Sequence, residues 1–286
     1  MIELLLNGLF VGALYSLFGL GLAVTFGLMQ QINLAHGDMI VLSAYLAWLA
    51  TQALGINPLF SLPFVALLMF AFGYALQRVV LNRTIGRGPM PTLLVTFGLS
   101  IVLQNMMQIG FSADTRSLQP GSIGSAALPL GSFSIGVMPL FFFLFACLAF
   151  ACTWLVFAKT SFGRAVRATS DDHRTARLMG IETGHIFSLA LAISLSVSAI
   201  AAIFLGMRST FAPAAGPERM LFAFEAVILG GLGSIWGTFF GGLALGLAQA
   251  IGLAIAPTFG PLAGHLVFLA VLLFRPAGMF ARRNGL

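Results

Sequence analysis

Residues 138–182 read MPLFFFLFACLAFACTWLVFA and then KTSFGRAVRATSDDHRTARLMGIE. The first part carries no charged side chain and has the length of a helix that spans a ~30 Å hydrocarbon layer, roughly 20 residues. The second part, 159–182, holds Lys159, Arg164, Arg167, Asp171, Asp172, Arg174, Arg177 and Glu182, eight of the 22 charged residues of the chain. No Asp, Glu, Lys or Arg occurs between Arg116 and Lys159, or between Glu225 and Arg275. An apolar span leading into a charged, water-facing island implies a membrane protein with one prominent polar loop.

Composition extends that reading to the whole chain. Hydrophobic residues make up 59% of the 286, charged residues 8%, and the mean hydropathy is +1.02. Soluble domains carry nearer ~25% charged residues because their surface faces water; here most of the surface faces membrane lipid. The fold class expected is all-α integral membrane, a polytopic helical bundle of about eight to nine spans with discontinuous helices, forming one domain over 1–286. The net charge of +6 is not a nucleic-acid footprint, since the basic residues cluster at span ends. Cys147 and Cys152 lie in one apolar run and read as small core residues. The N-terminal run lacks a basic lead and continues to Leu28, so it reads as a span rather than a cleavable signal.

Candidate spans are 4–28, 38–54, 59–80, 91–111, 138–158, 186–207, 236–256 and 262–274, with 220–234 too short to cross unaided. Arg78, Arg83 and Arg87 around the 81–90 loop, and five basic residues in 159–185, place both loops in the cytoplasm by the positive-inside bias. The N-terminus is then periplasmic, and the Ser-, Gly- and Pro-rich loop 112–137, with only Asp114 and Arg116 charged, is external. Arg275, Arg282 and Arg283 also belong inside, which requires an even number of crossings after residue 185, whereas three full spans give an odd number. A crossing within 212–234 assembled from broken helices resolves this. Val24–Leu28 and Val95–Leu99 both read VTFGL, a faint echo of an internal repeat.

Two interruptions point to a transport path. One is the polar insert 30–38, QQINLAHGD; the other is the glycine-dense stretch 229–246. Non-helical backbone at membrane depth is tolerated only where protein or a water-filled cavity satisfies it, and paired interruptions mark binding sites in transporters. Ionisable residues at such depth are functional candidates by default. The expected substrate path therefore comprises Asn33, His36, Asp38, Glu225, Gly230, Gly233 and Ser234. Against it, Asp38 reads equally as an interfacial first-turn residue, Glu225 as a partner of Arg219, and His265 as a satisfied core histidine. Gly233, Gly237 and Gly241 recur every four residues, as do Gly242 and Gly246, a spacing that lets a neighbouring backbone approach closely.

In 159–182, Ser170 reads as an N-cap with Asp171 and Asp172 in the first turn and Gly180 at the position after the C-cap, giving a helix over 170–180 preceded by a second helical piece that holds Arg164 and Arg167. Leu178, Met179 and Ile181 form its apolar edge. It reads either as a solvated connector or as a docking helix for a cytoplasmic protein, with Arg164, Arg167, Asp171, Asp172, Arg174, Arg177 and Gly180 as coupling residues. The single lysine, Lys159, is outside any phosphate-loop context, and there is no clustered metal-ligand set, so no cofactor or metal is expected. Ser234 and His265 come with no nucleophile turn, and no catalytic residue is assigned.

The strings INLAHGDM at 32–39, GRAVRA at 163–168 leading to LMGI at 178–181, and LGGLGSIWG at 229–237 resemble the LivH-like permeases of bacterial branched-chain amino acid ABC importers. The chain departs from that pattern at Trp236, where proline is usual. The resemblance implies a transport subunit rather than an enzyme, set in the bacterial inner membrane. It would pair with a LivM-like second permease, be driven by two cytoplasmic ATPase subunits, and be fed by a periplasmic solute-binding protein. It also implies that 159–182 is the coupling segment. An ion-gradient-driven secondary transporter or channel without ATPase subunits is the alternative, kept open by His36, Asp38 and Glu225.

Overall fold

The computed structural model describes residues 2–124, 126–130 and 133–280. Helix α1 (Ile2–Leu22) runs on through a π-helical turn, Ala23–Leu28, and the chain then leaves helical geometry until α2 (His36–Leu54). There follow α3 (Pro58–Val79), α4 (Pro89–Phe111), a hairpin of β1 (Ala127–Leu130) and β2 (Phe133–Gly136), and α5 (Val137–Lys159). The coupling candidate is α6 (Ser161–Asp171) and α7 (His173–Leu178); α8 (Thr183–Arg208), α9 (Gly216–Gly230), α10 (Ile235–Ile255) and α11 (Phe259–Phe274) complete the bundle. The hairpin, antiparallel with Ala127 opposite Gly136, is the one regular feature of the 112–137 loop that an all-helical reading does not anticipate.

Local sequence sets the helix ends. Asn57 caps α3, its Oδ1 accepting from Leu59 N at 3.0 Å, with Pro58 in the first helical position where its missing N–H costs nothing. Gly55 ends α2 in the left-handed region at φ 62°. Between α9 and α10, Gly231 (φ 94°) and Gly233 (φ 85°) adopt backbone that a Cβ would strain, and Ser234 then caps α10 by accepting from Gly237 N at 3.0 Å. The glycine-dense front is a turn for that reason.

Two faces emerge. Residues 29–32, 84–92 and 169–173 line one cavity, 154–167 and 233–236 line another, and Met279 N and Phe280 N donate to Leu229 O and Gly230 O at 2.8 and 3.2 Å. These segments share what we term the lower face. At the upper face Arg116 pairs with Phe211, Asn57 Nδ2 donates to Pro120 O, and Ser134 N donates to Glu3 Oε1. Among the described residues, seven helices are long and apolar enough to cross a membrane. The shorter α11 has 16 residues, and α9, whose 15 residues cover about 22 Å, is preceded by residues 209–212 and a 3-10 turn over Pro213–Ala215. The chain after α11 returns to the α9–α10 turn, Gly278 lying against Ile228 and Gly231, which puts Arg275 toward the lower face; Arg282 and Arg283 lie outside the described residues. The VTFGL echo is not a shared conformation, because 24–28 is π-helical and 95–99 lies within α4.

Helices α1 and α8 form the interior, with 78% and 67% of their most apolar windows buried, whereas the corresponding window of α4 is 22% buried and lies at the periphery. Small residues make the interior possible. An added Cβ at Gly12 would lie 2.7 Å from Gly242 O and from Leu243 Cα, and one at Gly8 would lie 2.6 Å from Ala250 Cβ. Gly242 and Gly246 return the contact against Ser16, Gly8 and Gly12, while Gly237 and Gly241 receive α9 at Gly230 and Ala226. The four-residue glycine spacing thus serves two different neighbours of α10.

Candidate functional site

The start of α2 lies inside the protein. Asn33 Oδ1 accepts from Ala35 N at 3.1 Å, turning the chain into the helix, and Leu34 N donates to Thr96 Oγ1 at 3.2 Å. His36 is fully buried and its Nε2 is 3.2 Å from Phe18 O, which it reaches as a donor. Asp38, 1% exposed, accepts from the Ser100 hydroxyl at 2.5 Å and from Gln104 Nε2 at 2.9 Å. Its carboxylate lies in the first turn of α2 and flush against Gly216, the first residue of α9, and a Cβ on Gly37 would strike Gly216 O and Met220 N. Two helix N-termini therefore meet around one carboxylate, which their dipoles favour. Ser100 and Gln104 are 11 and 15 residues into the 23-residue α4, so the junction is about 17–23 Å along a ~34 Å helix, near its middle.

Ser100 and Gln104 were not among the expected site residues. Their signal is present nonetheless: Thr92, Thr96, Ser100, Gln104 and Gln108 recur every four residues in an otherwise apolar stretch, one ridge of a helix. Thr92 donates to Thr84, Thr96 receives Leu34 N, and the next two hold Asp38. This ridge satisfies the polar backbone and side chains of the broken segment.

The other expected path residues fall elsewhere. Glu225, 1% exposed, pairs with His265 Nδ1 at 2.6 Å rather than with Arg219, which reaches Glu218 at 3.3 Å. His265 also stacks on Phe222 at 5.7 Å, so it is a satisfied histidine, and the partner that satisfies it is the buried acid Glu225. Gly230, Gly233 and Ser234 form the α9–α10 turn at the lower face. A Cβ on Gly230 would strike Gly237, and Gly233 and Ser234 line a cavity of about 270 Å³ with Trp154, Arg167 and Trp236. With the Ser234 hydroxyl committed to its cap and His265 to Glu225, the two do not form a nucleophile–base pair.

The charged island is two helical pieces, as expected, but their boundary lies two residues later than expected, and the second helix is His173–Leu178 rather than a helix capped by Ser170. Thr160 caps α6, accepting from Gly163 N, and α6 continues through Ser170 to Asp171. The cap of α7 is Asp172, whose carboxylate accepts from Arg174 N at 2.9 Å, Thr175 N at 3.2 Å and the Thr175 hydroxyl at 2.6 Å. A carboxylate with three donors outcompetes a serine hydroxyl for the helix start, so Asp171 ends one helix instead of opening the next. At the other end, Gly180 N donates to Arg177 O and Ile181 N to Ala176 O, with Gly180 at φ 83°, a Schellman termination. Arg167 Nη1 bonds Phe157 O, Arg177 Nε bonds Thr183 Oγ1 at 2.9 Å, and Ala176 is buried. Arg164, Asp171 and Arg174 face solvent, and Leu178 and Met179 are 87% and 78% exposed.

Donors from Thr175 and Arg174 hold the Asp172 carboxyl below the usual carboxylate range. A lowered folded-state value means the cap contributes at pH above the ordinary carboxylate pKa and is lost as pH falls through the lowered value. Asp172→Ala is expected to fray α7 at neutral pH while α6 persists, read as faster amide exchange at 174–178 with protection at 165–169 unchanged. Equal protection of α7 in the variant would rule this capping role out.

The α6–α7 pair and the broken segment adjoin. A cavity of about 410 Å³ has Gln30, Gln31 and Ile32 on one side, Thr84 and Gly86 on another, and Thr169, Ser170 and His173 on the third. Gln30 has φ 55°, and a Cβ on Gly86 would be 3.1 Å from His173 Nε2. Movement of α6 and α7 thus bears directly on the residues leading into α2.

Comparisons with known proteins identify the family. Residues 4–275 match the family model described as the branched-chain amino acid transport system permease component. The chain is 32% identical over 297 residues to the high-affinity branched-chain amino acid transport system permease protein BraD of Pseudomonas aeruginosa, covering 98% of this chain and 96% of that one. It is 28% identical to the permease protein LivH of Escherichia coli K12 at the same coverage. It is 26% identical to the fructose import permease protein FrcC of Rhizobium meliloti, over 84% of this chain and 69% of that one. No solved structure matches it. A family match over nearly the whole length, on a bundle of membrane-length helices broken at its centre, makes this chain a member of the family of branched-chain amino acid transport system permease components.

Proposed function

We propose that this chain is the permease subunit through which an ATP-driven importer moves a small neutral or zwitterionic solute, most simply a branched-chain or other amino acid. The family is one of multi-pass inner-membrane subunits of ABC transporters, with ATP hydrolysis in separate subunits. The finer reading adds a LivM-like second permease, two ATPase subunits at the lower face, and a periplasmic binding protein at the upper face. Nine of the twelve described Lys and Arg residues are at the lower face, the exceptions being Arg116, Arg208 and Arg219; this supports a cytoplasmic lower face and a periplasmic N-terminus.

The observation that carries the proposal is the α6–α7 pair. A capped, Schellman-terminated helix presents Leu178 and Met179 almost fully to solvent, rimmed by Arg174, with its buried side on Ala176. Exposed apolar side chains on a charged segment fit an apolar socket with an acidic rim on an ATPase subunit. ATP-driven movement there shifts α6, then Gln30 and Gln31 across the shared cavity, then the α2–α9 junction. Asn33, His36 and Asp38, with Ser100 and Gln104, form the central part of the solute path. Glu225 supports it from the α9–α11 side, and Gly230, Gly233 and Ser234 act as a hinge. The sparse fixed charge suits a solute without net charge.

Gentle purification of the tagged chain is expected to bring ATPase subunits with it. Replacing Leu178 and Met179 together with aspartate is expected to lower that co-purification and cut solute uptake at least ~10-fold, the effect of losing about 1.4 kcal/mol at an interface anchor. The melting temperature of the chain itself should not change. Unaltered uptake would sink the docking assignment. Uptake by the purified chain alone under an ion gradient would replace the importer with a secondary transporter.

A further inference from the structure

The loop 112–137 has two charged residues, Asp114 and Arg116, and the second is unusually well held. Arg116 exchanges backbone hydrogen bonds with Phe211, both 2.8 Å, and Leu118 N donates to Gly206 O at 2.8 Å, pinning the loop to the upper end of α8. The guanidinium carbon is 4.9 Å from the centre of the Trp48 ring, a cation–π contact. Its Nε is buried without a partner, and the nearest anion, Asp114 Oδ2, is 3.9 Å away on a side chain that is 75% exposed. The residue borders a cavity of about 570 Å³ between the last turn of α2 and the loop, lined also by Thr51, Gln52, Ser117 and Gln119. A planar cation with a fixed stem and spare donors is prepared for a forked interaction with a carboxylate.

The geometry points to a docking socket: an acidic side chain of the solute-binding protein enters this upper-face cavity and pairs with Arg116. The inference rests on the importer reading. The source is a protein side chain rather than the solute, because the socket is at the rim, with Gln52, Gly55, Ser117 and Gln119 open to solvent. Asp38 is ten residues further down α2, about 15 Å away along the helix. Leu54, exposed in the same turn, supplies apolar contact beside the ion pair. The socket also loads the right helix: Trp48 and Tyr45 stand on α2, and Tyr45 stacks on Phe111 at 4.3 Å and meets Phe211 edge-on at 5.0 Å. Force applied at the rim reaches the start of α2 along its own axis.

The test uses the complete importer in lipid discs with its solute-loaded binding protein. Basal ATP hydrolysis is measured first and checks the importer reading separately. Arg116→Gln is expected to weaken binding-protein docking at least ~10-fold and to abolish its stimulation of ATP hydrolysis, with basal hydrolysis and melting temperature unchanged. Arg116→Lys should recover only part, since the fork is lost. Asp114→Asn, which removes the one weak competitor, should tighten docking. Unchanged docking in Arg116→Gln, or weaker docking in Asp114→Asn, overturns the socket. Reduced uptake with unchanged docking assigns Arg116 to the solute's own carboxylate and also overturns it.

Discussion

Gly12→Leu is expected to leave almost no folded protein in the membrane, and Gly246→Leu the same. In each case a side chain of four carbons must enter a contact where α1 and α10 meet backbone to backbone, with Gly242 O, Leu243 and Gly8 already at the helix surface. Overpacking costs about 1–3 kcal/mol where side chains can yield, and backbone cannot yield that way. A cost of about 3 kcal/mol or more is a large share of a total stability of ~5–15 kcal/mol. Thermal unfolding of the detergent-solubilised chain reads the effect. The internal control is Gly98→Leu in α4, where an added Cβ meets nothing within 4 Å. That variant should melt as the parent does, and equal loss in both would show that glycine content rather than the α1–α10 contact matters.

Asp38→Leu is the second large change. It removes the acceptor of the Ser100 hydroxyl and of one Gln104 N–H, at about 1–3 kcal/mol for a group left without a partner, and leaves between the two only the 3.2 Å contact of Gln104 Nε2 with Ser100 Oγ. It also takes away the negative charge that two helix N-termini share, each such interaction contributing roughly 0.3–1 kcal/mol and up to ~2 when partly buried. Import should fall to background and the melting temperature should drop by several degrees. Asp38→Asn keeps the shape and one acceptor, so it should fold. Its remaining import then isolates the contribution of the charge. An Asp38→Leu chain with parental melting and parental import would dismiss the junction as a functional element.

Much of this fold is legible in the sequence because hydrocarbon imposes simple rules. Runs such as 138–158 have no reading except a span, and the break at 30–38 and the turn at 230–234 declare themselves by polar residues and by glycine. What escapes is competition and distance. Ser170 and Asp172 are both good caps in one-dimensional terms, and only three converging donors decide for Asp172. Glu225 has an arginine six residues before it, yet its partner is His265, 40 residues along, because α11 returns beside α9. The role of α9 is hidden for a related reason: its 15 residues are short, and the chain before it, with a 3-10 turn over Pro213–Ala215, has no helical periodicity to read. The polar ridge of α4 is a different case, since its four-residue period is fully visible once the break it serves is known.

That ridge has a thermodynamic consequence. Most helices here are held by interdigitated apolar side chains and glycine contacts, which water does not compete for. Helix α4, the least buried of these spans, adds to the packing of Leu103, Met107 and Phe111 a column of hydrogen bonds to Thr84, Leu34 and Asp38. In a bilayer nothing nearby offers a substitute donor or acceptor, so the seam is secure. In a micelle that admits water the same bonds can be exchanged one by one, and α4 should be the first helix to peel away, releasing the start of α2 with it. The extraction medium therefore selects between an intact and an unzipped transporter before any ligand is added.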